Sequence, residues 1–365
     1  MRQTADHDTY LRTSHFASLD GLRFICIGAV LWHHSALASQ MQMPLLKRGF
    51  TGVDFFFVIS GFLITTLLLR ERAAKGAISL RGFYWRRFLR IIPIYFLAVT
   101  VVAAYYILVK GEWQYLEILP FYYLFLSNYL TDHIPTLSIT WSLSVEEQYY
   151  VVWPILLILT PRRWLASLLV ALIVLNLAAV TGALGAMGIH AFDLGPLRFA
   201  MFPATFAPIL LGSLAALILH SPRGFAVLAR LFHPRWLPIV LLVLVLVLLQ
   251  FLPDDLRGWP NLTLHVLMTA ALISIVIRED NVLRPLLTLP PIARIGQVSY
   301  GIYIYHLIAL HVVNMIGVGQ GMIQMLVYSA LSILMAEASF RTLEAYFQQL
   351  RHKRVGTVNR AGPAI

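Results

Sequence analysis

The chain has 365 residues, of which 59% are hydrophobic and 12% charged, with a mean hydropathy of +0.75. Soluble domains carry about 25% charged residues, so a water-soluble enzyme is excluded and a polytopic membrane protein is indicated. The formal net charge of +11 would suggest a nucleic-acid partner in a soluble protein; here it reflects lysines and arginines gathered in cytoplasmic loops, and no nucleic acid is expected.

Residues 1–18 are polar and lack an apolar core, so no cleavable signal peptide is expected. A membrane-crossing helix needs roughly 17–25 mostly apolar residues. Ten such segments are read at 21–38, 52–69, 91–109, 144–160, 164–182, 199–219, 236–252, 262–278, 297–316 and 320–340. The stretch 119–130 is too short and too aromatic to span, and reads as a re-entrant or interfacial segment. With the N-terminus inside, the inner loops receive Arg70, Arg72, Lys75, Arg81, Arg86, Arg87, Arg90, Arg162 and Arg163, then Arg223, Arg230, Arg235, Arg284 and Arg294. The outer loops hold only Lys47, Arg48, Lys110, Arg198 and Arg257. This asymmetry predicts both termini in the cytoplasm. The expected fold class is therefore an all-α polytopic membrane protein of about ten transmembrane helices. Residues 1–345 read as a single transmembrane domain and 346–365 as a short basic cytoplasmic tail. No internal repeat of the transporter type is visible.

The first span carries Arg23 and His34, eleven residues apart. At about 100° and 1.5 Å per residue they leave the same face, separated by about 16 Å. Ionisable groups within a span usually line a polar pathway or an active site. His33 points about 100° away and reads as a packing residue. Asp54 opens the antiparallel second span at a depth similar to His34, where a carboxylate would fix the imidazole tautomer and raise its basicity. The alternative is that Asp54 caps its helix and His34 is a satisfied core residue. The single Cys26 lies in an apolar segment, which leaves no disulfide and no cysteine-based metal site.

Before the third span runs Arg81-Gly82-Phe83-Tyr84-Trp85-Arg86-Arg87-Phe88-Leu89-Arg90. Arg86 and Arg90 share a helical face, with Arg87 beside it. Guanidinium forks match phosphate oxygens, so a phosphorylated cytoplasmic donor such as acyl-CoA fits, although a topology anchor explains the same charges. The fourth span opens with Trp141-Ser142-Leu143-Ser144-Val145-Glu146-Glu147. Two carboxylates entering a membrane helix could orient an acceptor hydroxyl or support His34, or simply accompany capping by Ser142 or Ser144. In the ninth span Tyr303 and His306 share a face; interhelical hydrogen bonding is the simpler reading, lining of the same cavity the functional one. Arg341 and Glu344 are expected to form an ion pair. Phosphate-loop, HExxH and Rossmann glycine patterns are absent from the sequence.

Five blocks together resemble the integral-membrane acyltransferase family 3, bacterial O-acetyltransferases that decorate surface polysaccharides. They are Leu19-Asp20-Gly21-Leu22-Arg23 with His34, Gly52 through Phe62, Phe83 through Pro93, Trp141 through Tyr150, and Ser299 through His306. They run in order over nearly the whole chain. The resemblance implies transfer of an acyl group, usually acetyl, from cytoplasmic acyl-CoA to a hydroxyl of a saccharide or lipid-linked saccharide. Arg23 and His34 match the family's functional arginine and histidine, and Arg86, Arg87 and Arg90 its basic motif. His34, Asp54, Glu146 and Glu147 are thus the expected catalytic groups, with Arg23, Arg86, Arg87 and Arg90 on the donor. Trp141, Ser142, Tyr303 and His306 are expected at the substrate. Acetyl-CoA would be a substrate rather than a resident cofactor, and no metal is expected. Some members carry an extracytoplasmic hydrolase-like domain; this chain reads as lacking it, so a relay would need a separate partner. The expected location is the bacterial inner membrane, in contact with lipid. The rival readings are a transporter or exporter using the same polar residues as a proton or solute path, and a sensor or structural membrane protein.

Overall fold

The computed structural model describes residues 6–199, 206–253 and 258–350. Helix α1 (Ala17–His34) ends where Ser35 turns extended and caps the next short helix, its Oγ accepting from the Ala38 N–H at 3.3 Å. The helix therefore lies about one turn earlier than the predicted 21–38 span. Helix α2 (Thr51–Lys75) stops at Gly76, whose φ of 74° is a left-handed C-terminal cap that glycine adopts without steric cost. Helix α3 (Leu80–Ala104) starts at Ser79, which caps the Gly82 N–H at 3.1 Å, and continues through a π-helical turn to Val109. The arginine motif thus forms the first turns of one long helix.

The segment predicted as re-entrant or interfacial folds as helix α4 (Tyr115–Tyr123) followed by turns. Helices α5 (Thr140–Leu159) and α6 (Leu165–Val180) follow. A small antiparallel hairpin, β1 (Phe192–Leu194) and β2 (Leu197–Phe199), pairs Asp193 with Arg198 and departs from the all-helical expectation. It lies just before the predicted 199–219 span and meets it only at Phe199; residues 200–205 of that span lie outside the described residues, and helix α7 (Ala207–His220) forms most of the rest. Helix α8 (Pro222–Leu231) bends away from α7 by 107°. Helices α9 (Leu237–Phe251), α10 (Trp259–Ile277), α11 (Pro290–Gln297) and α12 (Ser299–Met315) follow, with a bend of 74° between the last two. Helix α13 (Met322–Ser339) passes into a π-helical turn and remains helical to residue 350, past the predicted start of the tail. The remainder of the predicted tail lies outside the described residues.

Five stretches are long and apolar enough to cross a membrane: Thr51–Lys75, Leu80–Val109, Arg162–Val180, Trp259–Ile277 and Met322–Leu350. Counting each bent pair as one span gives up to seven, below the ten predicted. The difference has physical causes. Helix α9 has 15 residues, about 22 Å at 1.5 Å each, against a hydrocarbon core of about 30 Å. Helices α1 and α5 are diluted by Asp20, Arg23, His33 and His34, and by Glu146, Glu147 and Gln148.

Close helix contacts hold this frame. Gly61 of α2 lies against the Ile209 carbonyl of α7, while Gly212 of α7 lies against the Val58 carbonyl of α2. A Cβ at either position would occupy the opposing backbone, so the two glycines set the crossing distance. On α1, the backbone at Asp20 meets Gly296 of α11, and the Tyr328 hydroxyl of α13 donates to the Leu31 carbonyl. Helix α1 is thereby held between α2 and the C-terminal helices.

Candidate active site

A cavity of about 330 Å³ lies among α1, α2, α3, α5 and the α11–α12 corner, and Arg23, Arg87 and Arg90 all line it. Among the described residues, no carboxylate stands within ion-pair distance of these three arginines. The carboxylates in the wall are already engaged. Glu146 accepts the Tyr150 hydroxyl, and Asp20 accepts from Gln297 Nε2 at 3.0 Å and lies 3.2 Å from His15 Nε2. The Arg87 guanidinium stacks on the Tyr150 ring at 4.6 Å from its centroid. Three guanidiniums without ion-pair partners around one cavity suit a ligand bearing several negative charges, and phosphates match their geometry best.

Arg86 does not join them. Its Nη2 lies 3.2 Å from Glu71 Oε2 on α2, a carboxylate that also meets Lys75 Nζ at 3.3 Å. The expected face of three motif arginines is thus divided: Arg87 and Arg90 line the cavity, and Arg86 joins α3 to α2. Arg70 completes the basic lining. Its guanidinium donates to the Thr13 and Tyr10 carbonyls and packs on the Tyr10 and Phe16 rings. Read in sequence as one of many loop cations, Arg70 gave no local signal that distinguished it; its long-range partners are set by the fold.

Ser142 and Tyr303 also line the cavity, with Ser142 Oγ 2.6 Å from the Tyr303 hydroxyl. Beyond them the Tyr303 carbonyl accepts from His306 Nδ1 at 2.6 Å, and His306 Nε2 lies 3.3 Å from His34 Nδ1. His34 is not in the cavity wall and is reached through this sequence of contacts. The partners define the tautomers. A carbonyl only accepts, so His306 Nδ1 carries hydrogen and, in the neutral ring, Nε2 accepts. His34 Nδ1, 3.0 Å from the Val30 carbonyl, is then the donor to both neighbours, which leaves His34 Nε2 with a free lone pair. An imidazole so held can act as a base.

The expected pairing of Asp54 with His34 does not form. Asp54 Oδ2 lies 3.3 Å from His265 Nε2 of α10, and both residues are almost fully buried, at 5% and 1% exposure. The contact is not aligned as a hydrogen bond. Similar depth alone did not determine the pairing: Asp54 leaves α2 toward α10, while His34 leaves α1 toward α12. Trp141 packs edge-on against Phe57 at 6.3 Å, outside the cavity wall, and Glu147 is likewise not part of the lining. Arg341 pairs with Glu337, Nε to Oε1 at 2.6 Å, rather than with Glu344; the same carboxylate holds Arg294 at 2.8 Å. Tyr150 and Tyr300, which carry no local sequence signal of a role, also line the cavity.

The fold and this site define a helical, multi-pass membrane protein built around an internal cationic cavity. The chain belongs to acyltransferase family 3, whose acyltransferase-domain model matches residues 16–337. It is 26% identical over 390 residues to a provisionally named O-acetyltransferase of Staphylococcus aureus (strain COL), covering 96% of this chain and 60% of the relative. It is 29% identical over 371 residues to the O-acetyltransferase OatA of S. aureus (strain NCTC 8325 / PS 47), covering 90% and 57%. The chain therefore spans about three-fifths of the length of the curated relatives it matches. No solved structure matches it.

Proposed function

We propose that this protein is a membrane O-acyltransferase, in the bacterial inner membrane, that moves an acetyl group from cytoplasmic acetyl-CoA to a hydroxyl of a cell-envelope or exported saccharide. The observation that carries this reading is the convergence of Arg23, Arg87 and Arg90 without carboxylate partners on one cavity. The family and the names of its relatives support it. In this reading Arg87 and Arg90 hold donor phosphates, Arg23 guides the thioester arm, and the Ser142–Tyr303 pair marks the limit the arm must pass to reach His34. Helices α1 and α5 cross the membrane despite their polar residues, because those residues face the protein interior, and both termini lie in the cytoplasm.

His34 Nε2 takes the proton of the acceptor hydroxyl as its oxygen attacks the thioester carbonyl. The C–S bond then breaks, and the CoA thiolate receives the proton from the imidazolium. Glu146, on the cavity side, positions the donor or the acceptor. An extracytoplasmic partner would complete the delivery if the acceptor stays outside. The test is transfer from radiolabelled acetyl-CoA by purified protein, comparing wild type with H34A and R23A. Loss of transfer in both, with the fold retained, is the expected result. Near-wild-type transfer in both would overturn the reading, and movement of an unmodified solute in vesicles without acetyl-CoA would replace it with a transporter.

A further inference from the structure

A second cavity, of about 610 Å³, lies at the ends of α2, α6 and α7, away from the donor cavity. Arg72, Arg162 and His220 line it together with Leu69, Leu165 and Leu217, and no acidic residue is in the lining. Among the described residues none of the three basic side chains has an ion-pair partner; Arg72 makes only a long 3.4 Å contact to the Leu157 carbonyl. Glu71, next in sequence, is turned away to Arg86 and Lys75. Nothing in the donor mechanism uses this cluster.

The neighbouring helix α8 indicates its depth. It follows a 107° bend from α7, with Ser221, itself in the cavity wall, capping it through the Gly224 N–H at 3.0 Å. Phe225 is buried against the bundle at 3% exposure, while Val227 and Leu231 are 56% and 65% exposed. Arg223 and Arg230 are exposed on the same helix. A short helix turned across the bundle, with one apolar face on protein and further apolar and arginine side chains outward, suits the headgroup level of a bilayer.

We propose that this cavity binds an anionic phospholipid, with the phosphate between Arg72, Arg162 and His220 and the acyl chains along Leu69, Leu165 and Leu217. Basic pockets between helices at a membrane surface select anionic headgroups by charge. The apolar half of the lining favours a lipid over free phosphate, which would leave those side chains unused. The site does not depend on the acyltransferase reading, because none of its lining residues also lines the donor cavity.

The test uses the full chain in mild detergent, incubated with equal amounts of phosphatidylglycerol and phosphatidylcholine, with retained lipid counted by native mass spectrometry. Each arginine facing the phosphate is worth about fivefold in retention. Wild type is therefore expected to prefer phosphatidylglycerol strongly, and R72Q/R162Q to lose most of that preference. Thermal unfolding of the variant separates loss of the site from loss of the fold. CoA binding by the same samples is expected to be unchanged. An undiminished preference in folded R72Q/R162Q would overturn the proposal. So would displacement of the lipid by inorganic phosphate, which would make this a free-anion site, or by CoA, which would make it an arm of the donor cavity.

Discussion

His306 Nε2 stands 3.3 Å from His34 Nδ1, so one buried imidazole on α12 orients another on α1. Because the Tyr303 carbonyl fixes the His306 hydrogen on Nδ1, the contact also selects which nitrogen of His34 is left basic. In the proposed transfer, H34A removes the base and is expected to lower turnover by about 100-fold or more. H306F removes only the orienting contact and is expected to cost about tenfold, the rate equivalent of one modest hydrogen bond. H306Q, whose amide oxygen can accept from His34 Nδ1, should recover part of that loss. Single-turnover transfer with saturating acetyl-CoA checks the series. Equal losses in H306F and H306Q would show that His306 serves packing alone.

The division of the arginine motif makes a second prediction. Arg87 and Arg90 line the cavity, whereas Arg86 is held by Glu71. Each charge-assisted contact to a phosphate contributes about 1.5–3 kcal/mol, so R87Q and R90Q are each expected to weaken CoA binding by about 10- to 100-fold. R86Q is expected to leave CoA affinity within about threefold and to lower thermal stability slightly, because its ion pair is partly exposed. Calorimetric titration with CoA measures all three. A loss in R86Q as large as that in R87Q would move the donor site to the other face of α3.

The Asp54–His265 contact is expected to act on stability rather than on chemistry. Both side chains are buried, and removing the carboxylate leaves the buried His265 ring without its nearest polar neighbour, a loss of about 1–3 kcal/mol. D54A should therefore unfold at a clearly lower temperature than wild type. The double variant D54L/H265L, which replaces both polar groups with apolar ones, should be less destabilised than D54A. Thermal unfolding in detergent reads the cycle. Greater destabilisation of the double variant would show that the two groups do not depend on each other.

Outside the membrane-spanning helices, Asp280 has a pH signature. Hydrogen bonds from Arg278, at 2.8 and 2.9 Å, and from Arg235 lower its carboxyl from the usual 3.8 to about 2. Because the folded value lies below the unfolded one, the contribution to stability is complete above about pH 4 and disappears as pH falls toward 2. Asp280 is about one-third exposed, so solvent screening reduces the contribution to about 1 kcal/mol. D280N is expected to melt below wild type at pH 7 and at pH 5, with the gap closing near pH 2. A constant gap across that range would assign the loss to the amide's geometry rather than to the charge.

Much of the site was legible in the chain because intramembrane polar residues are expensive and stand out against their surroundings. Arg23, Arg87, Arg90, Glu146, Ser142 and Tyr303 all stand out in the sequence, and all line one cavity. Asp54 stands out for the same reason, yet its partner is His265, a histidine on a helix that reads in sequence as plainly apolar. Helical periodicity describes which face of its own helix a residue occupies, not which neighbour that face meets. The span count shows a related limit. A hydropathy window treats Leu237–Phe251 as a strong segment, while the fold shows a helix of 15 residues, and α1 and α5 fall short in hydropathy because of their polar residues.

By itself, the sequence determined that this is a helical membrane protein with a stripe of costly polar groups on α1 and a basic motif on α3, because composition and helical period are local properties of the chain. The tertiary structure decided the partnerships: His34 with His306, Asp54 with His265, Arg86 with Glu71, and Arg23 with Arg87 and Arg90 around one cavity. These depend on how helices rotate about their axes when glycines at positions such as 61 and 212 let backbones approach. Packing between helices, in two of these pairs more than two hundred residues apart in the chain, sets that rotation.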